Sequence, residues 1–249
     1  MKTTIVTCYY RVSSKHSFEQ YDQWIQSFFQ SIKCPVLLFT SHSLQSYFET
    51  LQMKYQKKDL RIVYREFHEL EIYRQYPDIW DWQYKMDPQK SIRTKECYIL
   101  WNSKLYFMEE AIHLNPFHST YFLWSDIGNV RQPFLFEIDN YPLSSKISCN
   151  QIDIVLIHPF PKEKEDDFFF NSVHLSGSIM GGTKETFLKL IPLYKSTFQH
   201  YLNHEKFIGC DQQIFHTLYW KNPELFHLIY PLYQEKVDPW FFLYYYYSN

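Results

Sequence analysis

The feature that most constrains this chain is a repeated change of period. Short runs of β-branched and aromatic residues alternate with longer stretches whose apolar positions recur every three to four residues. Thr3 to Tyr9 (TTIVTCY) is short and apolar, the pattern of a buried strand. Ser17 to Ile32 has helical spacing: Ser17 and Gln20 form a capping-box pattern, and Phe18, Tyr21, Trp24, Ile25, Phe28, Phe29 and Ile32 share a face. Pro35 to Thr40 (PVLLFT) reads as a second strand, Leu44 to Tyr55 as a helix and Leu60 to Tyr64 (LRIVY) as a third strand. Strand, helix, strand, helix, strand predicts a mostly parallel sheet with right-handed crossovers.

Beyond an irregular, charged segment from Glu66 to Lys90, the periodicity predicts a long helix over Ile92 to Leu114 and a fourth strand over Tyr121 to Trp124. Ile152 to Ile157 is another strand, and Lys162 to Asp167 (KEKEDD) reads as a solvated loop. A small-residue stretch, Ser176 to Gly182 (SGSIMGG), precedes helices over Lys184 to Asn203 and Asp211 to Trp220. With no repeat and no linker, residues 1–249 read as one α/β domain, its central sheet flanked by helices.

A net charge of -2 argues against a general nucleic-acid binder, which needs clustered Lys and Arg. The five cysteines are widely spaced and form no CxxC pair, which suits free thiols rather than a disulfide framework or a zinc site. The apolar run near the N-terminus is too short for a signal sequence, and Trp240 to Tyr247 is far short of a membrane span. A soluble, cytoplasmic protein with no transmembrane segment is expected.

Glycine is scarce, and all five glycines lie in the second half, in the stretches SDIG, SGSIMGG and IGCDQ. Such a chain is expected to use glycine where the backbone needs positive φ or close approach. In open α/β sheets ligands sit beyond the carboxyl ends of the strands, which is where Asp126 leaves the fourth strand. A carboxylate there can hold a hard divalent cation together with phosphate oxygens; equally, Asp126 can close an Asx turn with Gly128 serving the backbone. SGSIMGG has neither a Walker A lysine nor a GxGxxG pattern, and fits a ligand wall or tight packing. Asp211 is either a helix N-cap or a carboxylate aimed, with Gln212, into the crevice. No HExxH pair, GxSxG elbow or recognisable nucleophilic cysteine is present, so hydrolase chemistry ranks low.

The order of the motifs, TIVTCYYRVSSKHSFEQYDQWI, CPVLLFTS, YILWNSK, FLWSDIGNVR, SGSIMGG and FIGCDQQIF, resembles the HtrL/YibB family over about Thr3 to Ile229. These are glycosyltransferase-like proteins found around bacterial surface-polysaccharide genes and in some large viruses. More distantly the layout is similar to the GT-A fold, in which a DxD motif at a strand end binds Mn²⁺ or Mg²⁺ and the diphosphate of a nucleotide sugar. Here SDIG stands in that place, with Gly128 where the second aspartate would be. The resemblance implies a glycosyltransferase that moves a sugar from a nucleoside-diphosphate sugar, a UDP-sugar first among them, to a glycan or other hydroxyl acceptor. It places Ser125, Asp126 as metal ligand, and Gly128 at the diphosphate, Thr7, Tyr9 and Arg11 at the nucleotide, and Gly181 and Gly182 at the sugar wall. Asp211 and Gln212 would lie at the reacting sugar, an arrangement that leans towards retention of configuration. Arg93 and Lys104, on the long helix, are candidates to neutralise the diphosphate, or else solvated surface charges. The competing reading is a catalytically inactive nucleotide-sugar or glycan-binding protein on the same fold.

Overall fold

The computed structural model describes residues 2–131, 141–160, 173–231 and 237–248. Among the described residues seven strands, β1 (Thr3–Tyr9), β2 (Val36–Thr40), β3 (Leu60–Tyr64), β4 (Tyr121–Ser125), β5 (Ile152–Leu156), β6 (Leu175–Thr183) and β7 (Phe226–Ile229), make one sheet in the order β3-β2-β1-β4-β6-β5-β7. The first four runs pair in parallel, as their helical crossovers require, and β7 is parallel to β5. Strand β6 runs antiparallel to both of its neighbours, β4 and β5. The architecture is a single α/β domain with a mostly parallel sheet flanked by helices.

Alternate strand residues feed two cores. Ile5, Tyr9, Val36 and Leu38 pack with α1 (Phe18–Ser31), α2 (Gln45–Lys54) and the C-terminal α8 (Phe242–Ser248). Val6, Leu37, Phe39 and Phe122 face the other way, towards α3 (Glu71–Gln75), α4 (Trp80–Met86), α5 (Lys95–Leu114), α6 (Lys184–Asn203) and α7 (Asp211–Lys221). This is the period-two signature of strands buried on both faces. The Ser17–Gln20 capping box forms in both directions and starts α1.

Two expectations need correction. The segment from Glu66 to Lys90 is not irregular throughout, since it holds α3 and α4. The long helix starts at Lys95, so Arg93 lies before it in extended conformation. SGSIMGG, to which the sequence assigns no element, is part of strand β6: Gly181 and Gly182 pair with Leu123 and Phe122 in mid-sheet. The loop expected over Lys162 to Asp167 lies outside the described residues.

Candidate functional site

A crevice opens beyond the carboxyl ends of β1 and β4. Because β6 is antiparallel, its beginning lies at the same edge, and Gly177 and Ser178 reach the crevice there. The helices α5 and α7 close it from one side, and the turn carrying Trp240 and Phe241 from another. That turn is tied down by Ser178 Oγ, which donates to Trp240 O at 2.8 Å. The cavity has a volume of about 440 Å³ and adjoins a second, smaller pocket over the end of β1.

At its floor stands Lys104. Cys97, Trp101 and Lys104 recur at helical spacing along the face of α5 that lines the crevice and the adjoining pocket. The Lys104 side chain is only 6 % exposed. Its Nζ lies 2.9 Å from Asp211 Oδ2 and 3.2 Å from Asp126 Oδ1, and donates to Gly177 O at 2.8 Å. An ammonium has three N–H donors, and here three segments bring oxygens to it, Asp126 with both of its own. Burial by itself would lower the Lys104 pKa, but Asp126 and Asp211 outweigh it and hold the group above its ordinary value. It is charged at neutral pH.

The two aspartates differ. Asp126 is extended, with its N–H donating to Ser178 O at 2.8 Å, and a short 3-10 turn, Ile127–Asn129, follows. Its side chain makes no capping bond to that turn. Instead Trp124 Nε1 donates to Asp126 Oδ1 at 2.8 Å, leaving a carboxylate 36 % exposed to the crevice. The Asx-turn alternative is therefore not what the carboxylate does. Asp211 is 4 % exposed and is the first residue of α7, whose N-cap is Cys210, so it is not the cap either. Burial raises the Asp211 carboxyl above its usual pKa, opposed by Lys104 and reinforced by Asp126. Oδ2 sits at ion-pair distance from Lys104 but out of hydrogen-bond alignment, and has no hydrogen-bond partner of its own.

Gly177 makes this approach possible. A Cβ there would lie 2.6 Å from Asp211 Oδ2, closer than any side-chain carbon is tolerated. Gly128 serves the packing of the turn after β4 on α1, since a Cβ there would meet Trp24 Cε3 at 3.2 Å and Tyr21 Cε1 at 3.4 Å. Gly181 and Gly182, expected at the sugar wall, are spaced against Leu123 and Tyr247, and against Thr186 and Ile152. They serve packing between strands and helices.

Of the other expected site residues, Asp126, Lys104, Asp211, Gln212 and Arg93 line the crevice. The Gln212 amide is engaged within the protein, donating to Leu175 O at 2.8 Å while Cys210 Sγ donates to its Oε1 at 3.2 Å. Arg93 pairs with Asp87 at 3.4 Å and lies over the Trp101 ring. Tyr9 borders the adjoining pocket with its ring against Tyr21 and Phe48. Ser125 is buried, its hydroxyl against that of Tyr244. Thr7 is fully buried within β1, and Arg11 stacks on Phe18 at the exterior; neither lines the crevice.

Sequence reasoning missed Lys15, Arg131, Asp238, Trp101 and Trp240, all of which line the crevice. Arg131 lies five residues after Asp126 in the same conspicuous stretch; its guanidinium is stacked 3.8 Å from the Trp24 ring centroid and its Nε donates to Gly128 O at 3.0 Å. Cys210, pushed up to about 12 by burial and then by Asp211, is no thiolate nucleophile.

The residues present do not suit a resident divalent ion. Both carboxylates of the crevice floor are already committed to an ammonium, and no group of three or more His, Cys, Asp or Glu side chains fit to hold a metal occurs among the described residues. A hard divalent ion that fills the rest of its shell with water and phosphate oxygens still needs one or two carboxylates uncommitted to bind it.

A mostly parallel, doubly covered sheet with a charged crevice at its carboxyl edge is a Rossmann-like α/β fold, in which ligands generally bind beyond the strand ends. The chain belongs to the HtrL_YibB family, described as bacterial proteins of unknown function, whose profile spans residues 1–247. This is the family that the motif order resembles. No curated protein matches the chain significantly in sequence. Among solved structures it is similar to a 4-diphosphocytidyl-2C-methyl-D-erythritol synthase from Anaerococcus prevotii, at 12 % identity over 96 % of this chain and 90 % of that one, TM-score 0.38. It is also similar to the PaToxG glycosyltransferase, at 9 % identity over 89 % of this chain and 70 % of that one, TM-score 0.41. No helix among the described residues is long and apolar enough to cross a membrane.

Proposed function

We propose that the protein is a glycosyltransferase that takes a sugar from a nucleoside-diphosphate sugar and gives it to a hydroxyl of a glycan or glycoconjugate. The observation that carries this reading is the floor of the crevice: a buried, charged Lys104 held between a buried and a part-exposed aspartate, beyond the carboxyl ends of β1 and β4. Lys15, Arg93 and Arg131 line the same cavity and supply the positive charge a diphosphate calls for. Trp101 and Trp240 offer ring faces of the kind on which a base or a sugar rests.

In the reaction the acceptor oxygen bonds to the anomeric carbon and the bond from that carbon to the phosphate oxygen breaks. The nucleoside diphosphate leaves with the bonding electrons. Negative charge grows on the leaving phosphate, so cations already fixed around it stabilise the transition state more than the ground state. Asp126, the more exposed carboxylate, orients the acceptor or a sugar hydroxyl and can take the acceptor's proton. Asp211 keeps Lys104 in place.

The test is a thermal-shift panel of UDP, GDP and CMP, followed by an assay of donor-sugar hydrolysis and transfer. Stabilisation by one nucleotide together with turnover of its sugar conjugate supports the reading. Binding without turnover on any donor or acceptor would favour a sugar- or nucleotide-binding protein, and no binding would remove the reading altogether.

A further inference from the structure

We infer that this crevice binds the diphosphate of its ligand without a divalent cation, the Lys104 ammonium standing where a metal ion would. The inference rests on the reading of the crevice as a nucleotide-sugar site, and goes beyond it in saying how the charge is neutralised.

The geometry points this way on four counts. Lys104 Nζ has oxygen neighbours from three separate segments: Asp211 Oδ2 at 2.9 Å, Asp126 Oδ1 and Oδ2 at 3.2 and 3.4 Å, and Gly177 O at 2.8 Å. Its N–H groups donate to Gly177 O and Asp126 Oδ2, and Asp211 Oδ2 is held by charge alone, so the ammonium is a pre-formed cation centre. Removing it is costly to the fold, because Asp211 Oδ2 has no hydrogen bond, and its charge in a nearly dry site is compensated by the Lys104 pair. Lys104 therefore does not swing aside to admit a metal. A divalent ion on the exposed side of Asp126 would stand close to this ammonium, and like charges a few ångströms apart repel. Finally, Gly128 stands two residues after Asp126, where a second carboxylate would serve a metal, and its missing Cβ is filled by Trp24 and Tyr21 rather than left open to the crevice.

The positive charge that a metal would bring is distributed instead. Lys104 is at the floor, with Lys15, Arg93 and Arg131 on the walls. Fixed cations and donors of this kind neutralise a leaving phosphate with no metal in the site.

The experiment is calorimetric titration of the whole protein with inorganic pyrophosphate, UDP and GDP, each in EDTA and each in excess Mn²⁺ or Mg²⁺. The inference expects the affinity of whichever probe binds to agree within about threefold between the two conditions, well under one tenfold step in Kd. It also expects Mn²⁺ added to the ligand-free protein to keep the paramagnetic resonance signal of the free aqueous ion. In Lys104→Ala, where the two aspartates lose their ammonium, that signal should fall as Mn²⁺ becomes bound, and pyrophosphate affinity in EDTA should drop about tenfold or more. The wild-type measurements stand even if that variant does not fold. Binding that appears only with Mn²⁺ or Mg²⁺, or Mn²⁺ bound by the wild-type protein alone, overturns this inference while leaving the nucleotide-sugar reading intact. Failure of every probe to bind in both conditions overturns that reading, and this inference with it.

Discussion

Gly177→Ala probes whether the crevice is built around the Asp211 carboxylate. A Cβ at position 177 lies 2.6 Å from Asp211 Oδ2, 3.1 Å from Cγ and 3.2 Å from Oδ1. Ordinary contact begins at 3.4 Å, so the nearest oxygen must retreat by about 0.8 Å, a displacement typical of overpacked cores. Neither partner is free to give. Gly177 lies in β6 beside Ser178, whose carbonyl accepts from the Asp126 N–H, and its own carbonyl accepts from Lys104 Nζ. Asp211 is a short side chain, buried, and held by the same Lys104. Overpacking of this kind costs about 1–3 kcal/mol, which for a chain of this length lowers the melting temperature by about 2–12 °C. Denaturant unfolding of four proteins, wild type, Gly177→Ala, Asp211→Ala and the double variant, closes a cycle. In the Asp211→Ala background the obstructing carboxylate is gone, so the alanine should cost less there by about 1–2 kcal/mol. A Gly177→Ala protein as stable as wild type, or an equal cost in both backgrounds, would refute the close approach of Gly177 to Asp211.

Other substitutions probe the same centre. Asp126→Ala should leave the circular dichroism spectrum intact and lower transfer turnover by about 10²–10³-fold, the loss typical when a fixed polar group at the reacting centre is removed; wild-type turnover would reduce SDIG to a turn. Asp211→Asn keeps shape but removes the charge paired with buried Lys104, so it should cost about 1–3 kcal/mol in denaturant unfolding, whereas a residue that merely capped α7 would tolerate it. Lys104→Met leaves burial and Asp126 both raising the Asp211 carboxyl, with only the Gln212 backbone N–H left to oppose them. A carboxyl whose pKa is raised on folding favours the protonated fold, so this variant should be most stable below the unfolded value near 3.8 and weaken as pH rises from there towards the folded value. Wild-type Asp211 is also raised but opposed by Lys104, so the variant's decline, at up to about 1.4 kcal/mol per pH unit, should continue to higher pH than in wild type, and parallel pH–stability curves would count against it. Gly181→Ala, which drives a carbon into Leu123 and Tyr247, should destabilise more than Gly128→Ala, which meets only the Trp24 and Tyr21 ring edges at 3.2 Å or more; the reverse order in thermal melts would show that the mid-sheet glycine is not a packing position.

The sequence by itself determined the strands β1 to β4, their parallel pairing and the capped start of α1, because hydrophobic period and capping are local properties of a few neighbouring residues. It also marked Asp126 as a carboxylate leaving a buried strand, and the scarce glycines as places of close approach. What it left open was which neighbour each glycine approaches. That depends on the direction of β6, a non-local choice: run antiparallel to β4, it puts Gly177 against Asp211 at the crevice and buries Gly181 and Gly182 in mid-sheet. Lys104 was equally undecidable. A lysine on a helix reads as a solvated charge, and its burial is tolerated only because Asp126 and Asp211, 22 and 107 positions further along the chain, arrive to pair with it. The pairing energy that makes the site exists only once the sheet order has brought those segments together, so tertiary structure alone decided it.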